Sequence, residues 1–235
     1  MVRYAKLPVQ LNLSETQNEL ASINEEWQSH FNTYYFEGSW TVLALRSPDG
    51  SHTNIVPDLM EDSEYLDTVY MQHFPSVQKL LSAINCPKMA VRFLNLKAGA
   101  IIKPHRDNEL AFEKGEARLH FPVLTNQSVE FYIENDRLPL KEGDCWYINA
   151  NLTHNVFNGG STDRIHLVVD CEVNQWLTDV INASEQISFK DDTDRNELLK
   201  VISELRLQNT DTANKVADDL EMTLVRARSQ DPEVK

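Results

Sequence analysis

The chain contains no apolar run approaching the roughly 18 residues of a membrane helix, so a helical membrane protein is not expected. Residues 1–30 lack a basic stretch followed by an apolar one, so a secretory leader is not expected either. Basic residues are scarce: 22 Lys and Arg stand against 36 Asp and Glu, a formal net charge of -14. Such a surface repels phosphate backbones and anionic lipid, which argues against nucleic acid or membrane partners. Cysteine is sparse as well. Cys86, Cys145 and Cys171 show no metal-ligand spacing, and an odd count without a leader points to reduced thiols in a cytoplasmic protein. With 235 residues, 41% of them hydrophobic, the chain suits one domain, or one domain with a small appendage.

The first half mixes strand and helix signals. Val2 to Leu13 reads as an edge strand, and Ser14 as an N-cap, with Gln17, for a helix carrying Leu20, Ile23 and Trp27. Tyr34-Tyr35-Phe36 leads through Gly38 into a strand over Trp40 to Arg46, closed by the turn Ser47-Pro48-Asp49-Gly50. The polar stretch 51–61 reads as a loop near the mouth of a barrel. A helix is expected from Ser63 to about Phe74, and after Pro75 a second one that buries Val77, Leu80, Leu81 and Ile84.

From Lys88 to Asp170 the chain is β in character. Strands are expected over Lys88 to Leu96, Ala100 to Ile102, Ala117 to Val123, Val129 to Ile133, Cys145 to Ile148 and Arg164 to Val169. The fold class is therefore mainly β with flanking helices, a cupin-like jelly roll or double-stranded β-helix. Beyond Ser188, Leu198, Val201, Ile202 and Leu205 repeat at helical spacing, as do Ala213, Val216, Ala217, Leu220 and Leu224. With Asn209-Thr210-Asp211 as the turn this is a C-terminal helical hairpin, giving domains 1–182 and 183–235. The hairpin could pack on the barrel, cover its site or serve oligomerisation.

Three pieces carry the chemistry: Pro104-His105-Arg106-Asp107, then Thr153-His154-Asn155, then Arg164-Ile165-His166. On an extended strand His105 and Asp107 point to the same side, so both can reach one metal ion, and His154 would come from a strand folded back across the barrel. Two neutral imidazoles and a carboxylate on one face of a ferrous ion leave three cis positions for a bidentate 2-oxo acid and dioxygen. Arg164 suits the far carboxylate of 2-oxoglutarate, which it can meet with two parallel hydrogen bonds. His-x-Asp alone is weak evidence, since it occurs often in solvated loops; the ordered set inside a β pattern is the signal. His120 and His166 compete with His154. His166 shares a face with Arg164 and reads as a hydrogen-bonded core residue. His30, His52 and His73 lie outside any ligand spacing and read as packing or surface residues.

Gly99 to Asp170 resembles the aspartyl/asparaginyl β-hydroxylase family of 2-oxoglutarate oxygenases. The likeness is carried by Gly99-x5-His105, Arg118-Leu119-His120, Glu142-Gly143-x2-Trp146, His154-x9-Arg164 and Leu167-Val168-Val169-Asp170. The form His105-Arg106-Asp107, preceded by Asn95-Leu96-Lys97, is nearer the bacterial proline 3-hydroxylase-like branch. The resemblance implies Fe(II), 2-oxoglutarate and O2 as cofactors, with His105, Asp107 and His154 on the metal. It places Arg164, and with it His120 and Arg118, on the cosubstrate. Animal members lack the Asp and put a Ser eleven residues before the first His to help hold the cosubstrate; Leu94 stands there in this chain, so Arg164 needs a different helper.

Trp40 and Arg46 sit where such folds often build a substrate pocket, with a core aromatic and a solvated strand-end charge as the plain alternatives. Arg118, on an inward-facing strand, needs an anion: a cosubstrate carboxylate, the substrate's carboxylate, or a structural partner such as Asp144 or Glu130. The expected activity is hydroxylation of an amino acid, free or within a peptide and bearing a carboxylate, at an unactivated β-type carbon. The rivals are a non-oxidative metal-dependent cupin, hydrolase or isomerase, and a non-catalytic barrel that binds a small molecule.

Overall fold

The computed structural model describes residues 1–55, 64–107, 110–184, 186–189 and 193–229. Residues 1–188 form one compact unit, and the chain from Phe189 onward forms a second.

The first unit begins with Val2–Leu7 (β1), Leu13–Ser22 (α1), Gln28–Ser29 (β2), Phe36–Glu37 (β3), Trp40–Pro48 (β4), Tyr65–Asp67 (β5) and Pro75–Ala83 (α2). It continues with Lys88–Leu96 (β6), Ile101–His105 (β7), Glu116–Leu124 (β8), Val129–Ile133 (β9), Asp136–Arg137 (β10) and Cys145–Ile148 (β11). His154–Asn158 (β12), Arg164–Glu172 (β13), Gln175–Asn182 (α3) and Gln186–Phe189 (β14) follow.

The large sheet runs β14-β1-β11-β8-β13-β6-β4-β2, with β5 beside β4, and the small sheet runs β10-β9-β12-β7-β3. From β6 to β9 and again from β11 to β13, each strand lies in the sheet opposite its predecessor, and the pairings are antiparallel. That alternation winds two sheets into a double-stranded β-helix, the jelly-roll architecture.

Strand periodicity sorts the side chains between two cores. From the large sheet, Val91, Phe93, Ala117, Leu119, Phe121, Tyr147, Ile165, Leu167 and Val169 face outward into a cluster completed by Leu20, Val77, Leu80, Leu177 and Ile181 of the helices. The alternate positions, among them Val42, Leu94, Leu96, Trp146 and Val168, meet Ile102, Phe131, Ile133 and Val156 of the small sheet. Because the large sheet is covered on both faces, any polar residue in the inward set is buried. Arg92, Arg118, His120, Arg164, His166 and Asp170 are those residues.

Several local expectations give way to tertiary context. The helix expected from Ser63 to Phe74 is not formed by its described part: Tyr65–Asp67 pairs with β4, and Thr68 donates from its backbone N–H to Leu45 and from Oγ1 to Ala44, each at 2.8 Å. A short 3-10 turn over Met71–His73 precedes α2. The cap of α1 is Asn12, whose Oδ1 accepts from Glu15 N, and the helix stops at Ser22 with Ile23 extended. Trp27 thus lies beyond the helix yet still packs on the outer core. Gly38 has φ +82, and a Cβ there would come within 2.9 Å of Ala100 Cβ, so the approach to β4 needs glycine. The expected loop 51–61 lies partly outside the described residues.

The second unit holds Thr193–Gln208 (α4) and Asp211–Ser229 (α5), with Asn209 at φ 48 between them. Ile202, Ala213 and Ala217 are buried, and Arg206 reaches from α4 to Asp218 at 2.6 Å and Glu221 at 3.2 Å on α5.

Candidate functional site

Strands β7 and β12 are neighbours in the small sheet, and His105 stands opposite His154. The register then slips, so that Val156 faces Ile102, and the extra residue on β7 falls where Pro104 has no N–H to give the ladder. The slip lets both imidazoles turn inward, with ring centroids 4.2 Å apart. Asp107 is held near them by its backbone N–H, which donates to Ala150 O at 2.9 Å. One ligand atom from each of His105, Asp107 and His154 lies within 4.8 Å of the others.

The donor set fits a divalent metal in detail. His105 Nδ1 lies 2.8 Å from Lys103 O and His154 Nδ1 lies 2.9 Å from Leu152 O, each two residues back. A carbonyl can only accept, so Nδ1 carries a proton in both rings and Nε2 is the nitrogen left to face a metal. Burial, with His105 alongside, brings His154 down to about 4, so it is neutral. Burial pushes Asp107 up, but the Arg118 guanidinium and then His154 and His105 outweigh it and hold the carboxyl at about 2. Neutral imidazoles and an ionised carboxylate are the forms that ligate, and the two-histidine, one-carboxylate set suits ferrous iron.

An ionic chain runs from Asp107 into the barrel. Asp170 on β13 is the cross-strand partner of Arg118 on β8. Its carboxylate accepts from Arg118 Nε at 2.6 Å and Nη2 at 2.9 Å, and Arg118 Nη1 donates to Asp107 Oδ2. Arg92 Nη2 donates to the same Asp170 at 2.7 Å. Arg118 thus meets carboxylates of the chain itself. Of the structural partners considered above, Asp144 pairs instead with Lys6 at 2.9 Å, and Glu130 lies 3.8 Å from Arg137. The choice of Asp170 is a matter of strand register, which no local pattern reveals.

Arg164 contrasts with Arg118. It is 2% exposed, its guanidinium lies 5.7 Å from the Phe131 ring centroid, and Nη2 is 2.8 Å from His166 Nδ1. Among the described residues no carboxylate pairs with it, its Nε has no hydrogen-bond partner, and burial draws its pKa down to about 9. His120 Nδ1 is likewise buried without a partner, and burial, reinforced by Arg118 and Arg164, keeps that ring neutral. Unpaired buried donors are costly, and a carboxylate brought by a small molecule would satisfy the guanidinium. Phe131 also stacks on His154, with centroids 6.2 Å apart and planes at 6°, so the cation and the candidate metal ligands share one wall. The site therefore fits a dicarboxylate 2-oxo acid as well as a metal.

An aromatic wall flanks His105. Tyr35 lies 5.1 Å and Trp40 6.5 Å from its ring, and His30 stacks on Trp40 at 3.6 Å with planes 9° apart. Burial, followed by Arg92, brings His30 down to about 4. His30 packs, as its lack of ligand spacing implied, but beside the site. Tyr35, which the sequence places only in the run Tyr34-Tyr35-Phe36 leading into a strand, is thus brought beside His105. Arg46 is half-buried and paired with Asp67 at 2.7 Å, and the structure does not bring it to the triad. His52 lies against Tyr70, and His73 Nε2 is 3.5 Å from Gln72 Nε2. Of the loop over 108–116, Asn108 and Glu109 lie outside the described residues.

The chain is 24% identical over 171 residues to an L-proline cis-4-hydroxylase of Rhizobium meliloti (strain 1021), covering 71% of this chain and 60% of that protein. It is 25% identical over 153 residues to L-proline cis-3-hydroxylase 2 of a Streptomyces species, covering 63% of this chain and 51% of that one. The chain thus spans between half and two thirds of the length of these curated relatives. Among solved structures it is similar to an oxidoreductase of the 2OG-Fe(II) oxygenase family from Burkholderia pseudomallei. That likeness has a TM-score of 0.46 and 11% identity over 69% of this chain and 81% of that one. Residues 10–173 match the family described as Aspartyl/Asparaginyl beta-hydroxylase, and the chain belongs to that family.

Proposed function

We propose that the protein is an Fe(II)- and 2-oxoglutarate-dependent dioxygenase that hydroxylates an amino acid, free or within a peptide, at an unactivated β-type carbon. One juxtaposition carries this reading: the His105, Asp107 and His154 ligand atoms share a wall with a buried arginine that has no anion among the described residues. In this reading His105 and His154 bind iron through Nε2, and Asp107 binds through a carboxylate oriented by Arg118. Arg164 takes the far carboxylate of 2-oxoglutarate, with His120 beside it. When bound, iron, 2-oxoglutarate and O2 together supply the oxidant: one oxygen atom enters a substrate C–H bond and the other enters succinate, with loss of CO2.

The chain's own residues do the rest. Trp146, Phe131, Leu94 and Leu96 form the apolar part of the barrel interior, between its two sheets. Tyr35, Trp40 and His30 wall one side of His105, where an amino acid could lie against rings. Arg118 is kept as a candidate for the substrate's carboxylate, but three of its N–H groups already serve Asp170 and Asp107, so orienting Asp107 is its first task. The names of the relatives, which act on L-proline at different carbons, support an amino acid substrate without choosing the carbon. A cytoplasmic location and oligomerisation through the C-terminal helices belong to the same proposal. A non-oxidative cupin is the poorer reading, since it leaves Arg164 without a task.

The test is succinate release from 2-oxoglutarate under air with ferrous iron and ascorbate, screened over the amino acids and short peptides. Iron-dependent succinate formation raised by one amino acid supports the reading. Folded, iron-loaded protein that forms none, with or without a candidate substrate, overturns it.

A further inference from the structure

We propose that His166 is a positioning residue for the cosubstrate: its neutral imidazole aims the Arg164 guanidinium without neutralising it. This rests on the reading of Arg164 as the anchor of 2-oxoglutarate. The bond between Arg164 Nη2 and His166 Nδ1 is 2.8 Å long and buried, with His166 1% exposed. A guanidinium can only donate, so Nδ1 accepts and the ring proton sits on Nε2. Burial, with Arg164 and His120 alongside, keeps the ring uncharged.

Two of the three buried arginines on the inward face of the large sheet, Arg118 and Arg164, are held in opposite ways. Arg118 is clamped by carboxylates, which use up its charge. Arg164 is held by one neutral acceptor and by the face of Phe131, both of which leave its positive charge available to an incoming anion. A carboxylate at position 166 would fix the side chain equally well but would compete with the ligand. Without any partner, a long side chain would lose rotamer freedom only on binding and would weaken it. Neither neighbouring strand offers a substitute directly opposite, because His166 faces Leu94 on β6 and Pro122 on β8. His166 is thus the helper that residue 94 does not provide.

The experiment measures equilibrium binding of 2-oxoglutarate to the Mn(II)-loaded protein by calorimetry without oxygen, for the wild type, Arg164→Ala, His166→Leu and His166→Asn. Leu removes the acceptor, whereas Asn puts its Oδ1 close to the position of Nδ1. His166→Leu is expected to weaken 2-oxoglutarate by about tenfold, the loss of one charged hydrogen bond. His166→Asn should stay within about threefold of the wild type, and Mn(II) affinity should not change in either. Binding of 2-oxobutyrate, which lacks the far carboxylate, should be the same in all four proteins. Should His166→Leu fail to fold, His166→Gln, whose acceptor sits one bond farther out, takes its place with the same expectation. Wild-type affinity in His166→Leu alongside a loss in Arg164→Ala overturns the role of His166. Equal losses for 2-oxoglutarate and 2-oxobutyrate also overturn it, showing a purely structural residue. A wild type that binds 2-oxoglutarate no better than 2-oxobutyrate fails at Arg164 itself, and the role of His166 falls with it.

Discussion

Asp170 stands opposite Arg118 on the adjacent strand and accepts two of its N–H groups, at 2.6 and 2.9 Å, while the same guanidinium reaches on to Asp107. A residue of the large sheet thereby orients a candidate metal ligand that follows a strand of the small one. Asp170→Asn keeps the shape but removes the charge that balances Arg92 and Arg118. Because breaking a buried pair leaves uncompensated charge, a loss of about 3–5 kcal/mol in unfolding free energy is expected, read by denaturant titration. A loss below about 1 kcal/mol would mean that Asp170 holds neither arginine in solution.

Replacing His105, Asp107 or His154 by Ala should each abolish turnover and lower bound iron in the purified protein. His166→Ala should leave iron content close to wild type, since its Nδ1 faces Arg164. Metal analysis of the four variants decides it, and a reversed ranking of His154 and His166 would reassign the third ligand.

Arg118→Met removes the donor to Asp107 and the clamp on Asp170 without opening a large cavity. Iron should bind about tenfold more weakly, as expected for the loss of a charge-assisted hydrogen bond to the ligand. Succinate should form with poorer coupling to substrate. Unchanged iron affinity with lost substrate affinity would instead make Arg118 a substrate hook first.

Burial sets a pH limit on cosubstrate binding. Arg164 deprotonates at about 9 when nothing anionic meets it, and the charged form is the one that binds a carboxylate. Affinity for 2-oxoglutarate should therefore be constant well below pH 9 and fall as pH rises through it, about tenfold per unit at the steep limit. Calorimetry from pH 7 to pH 10 reads this directly, and 2-oxobutyrate, without the far carboxylate, should not show the fall. An affinity flat to pH 10 would mean that the guanidinium stays charged unaided.

Strand alternation made much of this fold legible. The stretches Val129–Ile133 and Cys145–Ile148 have the bounds read from apolar pattern and turn residues, the first because alternate residues, Phe131 and Ile133, face the core, the second because both its faces are covered. His105 and Asp107 come together as their spacing suggested, but β7 ends at His105 and Asp107 lies beyond it, held by its bond to Ala150 rather than by strand alternation. What escaped reading depends on distant partners. Tyr65–Asp67 looked helical and became a strand because β4 offered an open edge. The pairing of Arg118 with Asp170 and the stacking of His30 on Trp40 follow from register and from the path of 28–40, which residue types alone do not determine.

The most direct test of the central claim follows the oxygen. With an amino acid that stimulates succinate release, turnover under 18O2 should place one labelled atom in succinate and one in the hydroxyl of the product. Label in neither, with the product oxygen coming from water, would contradict a 2-oxoglutarate-dependent dioxygenase.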